Sequence, residues 1–78
     1  MEGYSEIILE FMKRVEDELE HIDPKSINRS RLYGKTHTAI VANAKMLAGL
    51  NPKERYRRAD ALFREQLNNE IERVRQKR

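Results

Sequence analysis

The side chains in this 78-residue chain best suited to chemistry are cationic, and their spacing groups them. Arg57, Arg64 and Arg75 fall within about 20° of one another on a helical wheel of 100° per residue. Lys53, Arg55, Arg58 and Arg73 add charge on neighbouring sides. A basic row of this kind meets anions: each phosphate it neutralises releases counterions, and a guanidinium adds bidentate geometry. Glu54, Glu65, Glu70 and Glu72 interrupt the row, which also flanks an apolar seam where salt bridges to an acidic helix form. The candidate residues for binding a protein partner or nucleic acid are therefore Lys53, Arg55, Arg57, Arg58, Arg64 and Arg75.

A second group is polar and sits within an apolar stripe. Thr36, His37 and Asn43 lie on or beside the face of Tyr33, Ile40 and Ala44. A histidine in such a place is more often a hydrogen-bonded core residue than a base or a ligand. If two copies of the chain met along this seam, Tyr33, Lys35, Thr36, His37 and Asn43 would line a pocket for a small anionic or nucleotide-like ligand. A third group is the segment 26–31, which carries caps, turn formers and the cations Arg29 and Arg31. It reads as a connector able to touch phosphate.

Catalytic and metal chemistry find little support. There is no cysteine to act as a nucleophile or thiolate ligand, no glycine-rich phosphate loop and no carboxylate–histidine array at metal-ligand spacing. Glu18 and His21 form one E-x-x-H pair, but a di-metal site needs further glutamates facing a helical core, and Glu18 lies off the apolar seam. No enzyme activity, cofactor or metal is expected.

The elements that must position these groups follow from charge and periodicity. Residues 1–22 carry seven acids and two bases, a net charge of −5, whereas residues 23–78 carry six acids and fourteen bases, a net charge of +8. An acidic helix can thus lie against basic ones while the remaining positive surface faces an anionic partner. Although 37% of the residues are charged, the apolar residues recur at helical intervals, which argues for order. No basic-then-apolar leader opens the chain, and no apolar run approaches the ~18–20 residues of a membrane span. A cytoplasmic protein without membrane contact is expected.

The first helix is predicted over 5–22, with Ser5 as N-cap and Tyr4, Ile8, Phe11, Met12, Val15, Leu19 and Ile22 as its apolar face. From Ile8 onward that face steps 4, 3, 4, 3, the rhythm of packed helices. Asp23-Pro24 ends it, because proline lacks the donor and restricts its predecessor. The second helix is predicted over 30–48. It has one face of Tyr33, His37, Ile40, Ala44 and Leu47 and a second seam of Leu32, Ala39, Met46 and Leu50, the latter a candidate oligomer interface. Gly49 suits a left-handed helix end, Asn51 a new N-cap and Pro52 the first helical position, so the third helix over 52–73 must turn back as a hairpin. Its apolar stripe is Tyr56, Ala59, Phe63, Leu67, Ile71 and Val74, with Asp60 and Glu70 at the edges, and Arg75, Lys77 and Arg78 are expected to fray.

These readings combine into one all-α domain spanning 1–78, a three-helix bundle with a tight hairpin between helices two and three. A chain this short has a marginal core, so a homo-oligomer, in the simplest case a dimer, is expected. The expected function is that of a small regulatory or adaptor protein that binds a macromolecular partner through the basic face of its last helix. Direct nucleic-acid binding by that face, or capture of a small anionic ligand between subunits, are the alternatives.

Overall fold

The computed structural model describes residues 3–77, and among them every regular element is helical. There are four helices: α1 (Tyr4–Glu20), α2 (Arg29–Ala42), α3 (Ala44–Ala48) and α4 (Pro52–Gln76). Helix α4 alone has 25 residues, about 37 Å at 1.5 Å per residue. It accounts for most of the 47 Å long axis of a molecule only 19 × 18 Å across.

Helix α1 begins one residue earlier than its sequence suggests. Gly3, extended at φ −77° and ψ 156°, is the N-cap in place of Ser5, and no side chain caps the helix. Its buried face is Ile7, Phe11, Met12, Val15 and Leu19, while Tyr4 stays half exposed. The face is rotated from the predicted one because Ile7, not Tyr4, continues the i, i+4 line to Phe11.

The turn after α1 is organised from its own sequence. The Asp23 carboxylate accepts from the Lys25 N–H at 2.9 Å, and the Asp23 carbonyl accepts from the Ser26 N–H at 2.9 Å. Ile27 plugs this turn into the core at 3% exposure. The Asn28 side chain caps α2 by accepting from the Arg31 N–H at 3.0 Å. The segment 26–31 is thus the anchored start of a helix and not a free connector. Arg29 donates from its guanidinium to the Ile22 carbonyl, closing the exposed end of the preceding turn.

The helix predicted over 30–48 is divided at Asn43, which adopts φ −109° and ψ 8°. Its side-chain amide donates to the Ala39 carbonyl at 2.7 Å, so the side chain competes with the backbone ladder and a new helical turn starts beyond it. The expected left-handed glycine is also absent. Gly49 lies at φ −80° and ψ −5°, and its N–H donates to the Met46 carbonyl at 3.1 Å. The Arg55 guanidinium bonds the carbonyls of Leu47 at 3.0 Å, Leu50 at 3.1 Å and Ala48 at 3.5 Å. Asn51 caps α4 as its type predicts, accepting from the Glu54 N–H at 2.9 Å, with Pro52 at the first helical position.

The core contains Phe11, Met12, Val15, Leu19, Ile27, Leu32, Ile40, Leu47, Ala59 and Phe63. Helix α2 packs most extensively on α4, and α1 lies across α2, α3 and the start of α4. The core face of α2 is Leu32, Thr36 and Ile40, and its flanks are Tyr33 and His37 on one side and Ala39 on the other. His37, predicted on the inward face, is exposed. Helix α4 runs three residues beyond its predicted end, to Gln76. Arg73 pairs with Glu70, Arg75 pairs with Glu72, and basic groups suit the negative pole of a helix terminus. Arg78 lies outside the described residues. Among those residues no helix is long and apolar enough to cross a membrane.

Candidate functional site: a basic groove between α2 and α4

The packing of α2 on α4 leaves a groove along their outer junction. At one end is a recess of about 140 Å³ bounded by Arg31, Leu32, Lys35, Gln66, Asn69, Glu70 and Arg73. It continues into a wider, shallower channel of about 640 Å³ past Gly34, Thr38, Ala39 and Ala42, sharing Arg31, Lys35 and Gln66. Arg31, Lys35, Thr38 and Ala42 form one wall because their 4, 3, 4 spacing keeps them on one side of α2. Gln66, Asn69 and Arg73 do the same on α4 at 3 and 4. The small residues leave the floor open: a side chain built at Gly34 would meet nothing within 4 Å.

The recess is held together by one buried carboxylate. Glu70 is only 5% exposed. It receives the Arg73 guanidinium at 3.0 Å from Nε and 2.7 Å from a terminal nitrogen. The Asn28 backbone N–H donates to it at 3.2 Å, and Arg31 stands 3.4 Å away. A charge this buried persists only when paired and hydrogen-bonded. The Arg73 hydrogen bonds hold the Glu70 carboxyl below the usual carboxylate range, aided by the Asn28 N–H and by the charges of Arg73 and Arg31, while burial pushes the other way. Arg73 is correspondingly held above its ordinary value, chiefly by the same hydrogen bonds. The cluster therefore stays ionised at neutral pH and ties the start of α2 to the C-terminal half of α4.

The cations read from the sequence as a binding row are arranged differently. Arg57 and Arg58 both reach Glu54, at 3.6 and 3.9 Å. Arg64 meets Glu18 of α1 at 3.2 Å and Asp60 at 3.7 Å, and Arg75 meets Glu72 at 3.7 Å. These are exposed pairs that contribute little stability; Arg57 and Arg58 share the single carboxylate of Glu54, whereas Arg64 and Arg75 have acids of their own beside them. Arg55 is engaged with the carbonyls at the end of α3. Lys53 is exposed at the first turn of α4.

The other expected groupings also separate. Thr36 is fully buried and cannot line a surface pocket. Tyr33 and His37 stack on the flank toward α1, with ring centroids 6.5 Å apart and planes 14° apart. Lys35 faces the α4 groove, and Asn43 bonds within its own helix. Among the described residues these five are thus spread over different sides of α2 and the break after it. Of the expected oligomer seam, Leu32 is 1% exposed and belongs to the core, Ala39 and Leu50 are half-buried, and Met46 is 41% exposed. Glu18 is engaged by Arg64, and His21 bonds the Asp17 carbonyl at 2.8 Å, so the E-x-x-H pair faces no common site.

Gln66, Asn69 and the role of Glu70 escaped the reading of helix faces, since they depend on where α2 lands. One signal for this region stands in the sequence nonetheless. Between Asp23 and Glu54, residues 24–53 carry six bases and no acid. Two of those bases, Arg31 and Lys35, are the groove's α2 wall. The molecule is thus a small all-helical protein with a basic groove at its longest helix–helix junction. No family model matches the chain, and no curated protein or solved structure matches it.

Proposed function

We propose that this protein is a small non-catalytic adaptor or regulator that binds an anionic macromolecule through the basic surface of α2 and α4, and that it works as a homo-oligomeric helical bundle. The observation that carries the reading is the single sign of the charge on α2. Its fourteen residues include Arg29, Arg31 and Lys35 and no acid, and the one carboxylate near the groove is buried among its own partners. A surface of this sign attracts polyanions and speeds their encounter. The groove offers cations and carboxamides, and the carboxyl that lines it is held ionised by Arg73. Leu9, Val41 and Met46, at 59%, 47% and 41% exposure, supply apolar surface for self-association, which a marginal core favours.

Light scattering coupled to size exclusion tests both parts. The chain alone should elute as a multiple of its 9.3 kDa mass. With poly-glutamate or duplex DNA it should shift at low salt and lose the shift as salt rises. A monomer removes the oligomeric part, and a particle indifferent to both polyanions at low salt overturns the binding reading.

A further inference from the structure

We infer that the α2/α4 groove is a phosphodiester-binding site, built to take the sugar–phosphate backbone of a nucleic acid. The inference rests on the anionic-partner reading above and names the chemistry of that partner. Arg31, Lys35 and Arg73 converge on the recess from two helices. Three cations against one carboxylate, +3 − 1, leave a net charge of +2 there.

Glu70 determines how those cations are presented. Its carboxylate already accepts from Arg73 and Asn28 and pairs with Arg31, so it fixes both guanidinium groups in place without offering an open acid to a ligand. Arg31 keeps 46% of its side chain exposed. Lys35, one turn further along α2, is exposed and has no ion-pair partner among the described residues. Lys35, together with the exposed part of the Arg31 side chain that Glu70 holds beside it, can meet successive anionic oxygens.

The rest of the groove favours a phosphodiester over an acidic peptide. Gln66 and Asn69 supply carboxamides, which donate and accept at once and so suit sugar hydroxyls and base edges. The floor of Gly34, Thr38, Ala39 and Ala42 holds no aromatic or large apolar anchor. Protein–protein hot spots depend on such anchors seated in desolvated pockets, and this channel is wide and shallow. A charged backbone needs close approach and positive charge, both of which small side chains and flanking cations provide.

The test is fluorescence anisotropy with three probes: a labelled thymidine oligonucleotide, the thymidine dinucleotide and labelled poly-glutamate. Each is measured with the native chain, Lys35→Glu, Lys35→Ala and Lys13→Glu, all checked for unchanged thermal melting. The native chain should bind the oligonucleotide more tightly than poly-glutamate, with affinity falling steeply as salt rises. Lys35→Glu should weaken oligonucleotide binding by about tenfold or more, Lys35→Ala by less, and the salt slope should drop by about one. Lys13→Glu, the same change of charge on the exposed side of α1, should change it little. Dinucleotide binding equal to oligonucleotide binding identifies a free nucleotide as the source of the phosphodiester, and binding of the longer probe alone identifies a strand. Poly-glutamate binding without nucleotide binding overturns this inference while leaving the anionic-partner reading intact. Failure of all three probes overturns both. Equal losses in Lys35→Glu and Lys13→Glu, or none in either, remove the groove as the site.

Discussion

Replacing Glu70 by glutamine removes the charge from the junction of α2 and α4 while nearly preserving shape. The carboxylate accepts two bonds from Arg73 and one from the Asn28 N–H, and faces Arg31 at 3.4 Å. Hydrogen bonds to charged groups contribute ~1.5–3 kcal/mol each. Glutamine keeps one oxygen acceptor but turns an amide donor toward donors, so at least one such bond is lost. Relief of the buried carboxylate's desolvation offsets part of that loss. A net destabilisation of about 2 kcal/mol follows, and at ~4–8 °C per kcal/mol for a domain of this size the melting temperature should fall by about 8–16 °C at neutral pH. The pH dependence carries the sharper check. Because the folded-state carboxyl is held below its usual 4.5, its stabilisation is complete above that value and is lost as pH falls through the lowered folded value. The gap between the native chain and Glu70→Gln, followed by circular dichroism melts, should be widest at neutral pH and close on acidification. A variant that melts with the native chain at neutral pH, or a gap that persists unchanged in acid, refutes the account of Glu70 as an ionised tie.

Two further substitutions probe the core. The Thr36 hydroxyl is buried with no hydrogen-bond partner among the described residues, so Thr36→Val, which keeps the branched shape, should raise stability by about 1 kcal/mol; a lowered melting temperature would show that the hydroxyl has a partner. Phe63, 1% exposed, should cost ~3–5 kcal/mol when truncated to alanine. Its neighbour Arg64, paired at the surface with Glu18 and Asp60, should cost under about 1 kcal/mol. Similar urea midpoints for Phe63→Ala and Arg64→Ala would mean that the face of α4 is misassigned.

Much of the fold is legible locally, because capping and periodicity are properties of adjacent residues. The Asn51-Pro52 start of α4 and the buried pair Ala59 and Phe63 follow from spacing and side-chain type and appear in place, whereas α1 already ends at Glu20, two residues short of its predicted end, and Tyr56 and Ile71 of the predicted α4 stripe are exposed. Asn43 is a further exception among local features. Whether an asparagine bonds its own backbone or continues a helix depends on what the packing of α3 against α1 and α4 gains from the break.

The candidate site belongs to the other category. The sequence by itself determined that the chain is helical, that its first helix is acidic and that positive charge accumulates after Asp23, since these need only composition and period. It also contained the acid-free run 24–53, in which charge sign is plain without any fold. Which cations remain available was decided only by tertiary structure, because an ion pair depends on the distance between helices and not on sequence spacing. The row containing Arg64 could be read either as a binding face or as a salt-bridged flank of the acidic first helix, and only the packing of α1 set Glu18 3.2 Å from Arg64. Arg55 looked like a binding group until the turn after α3 placed three carbonyls around it. Glu70 looked like a flaw in an apolar stripe until α2 set Asn28 and Arg31 over it, turning a costly buried charge into the post on which a basic groove is mounted.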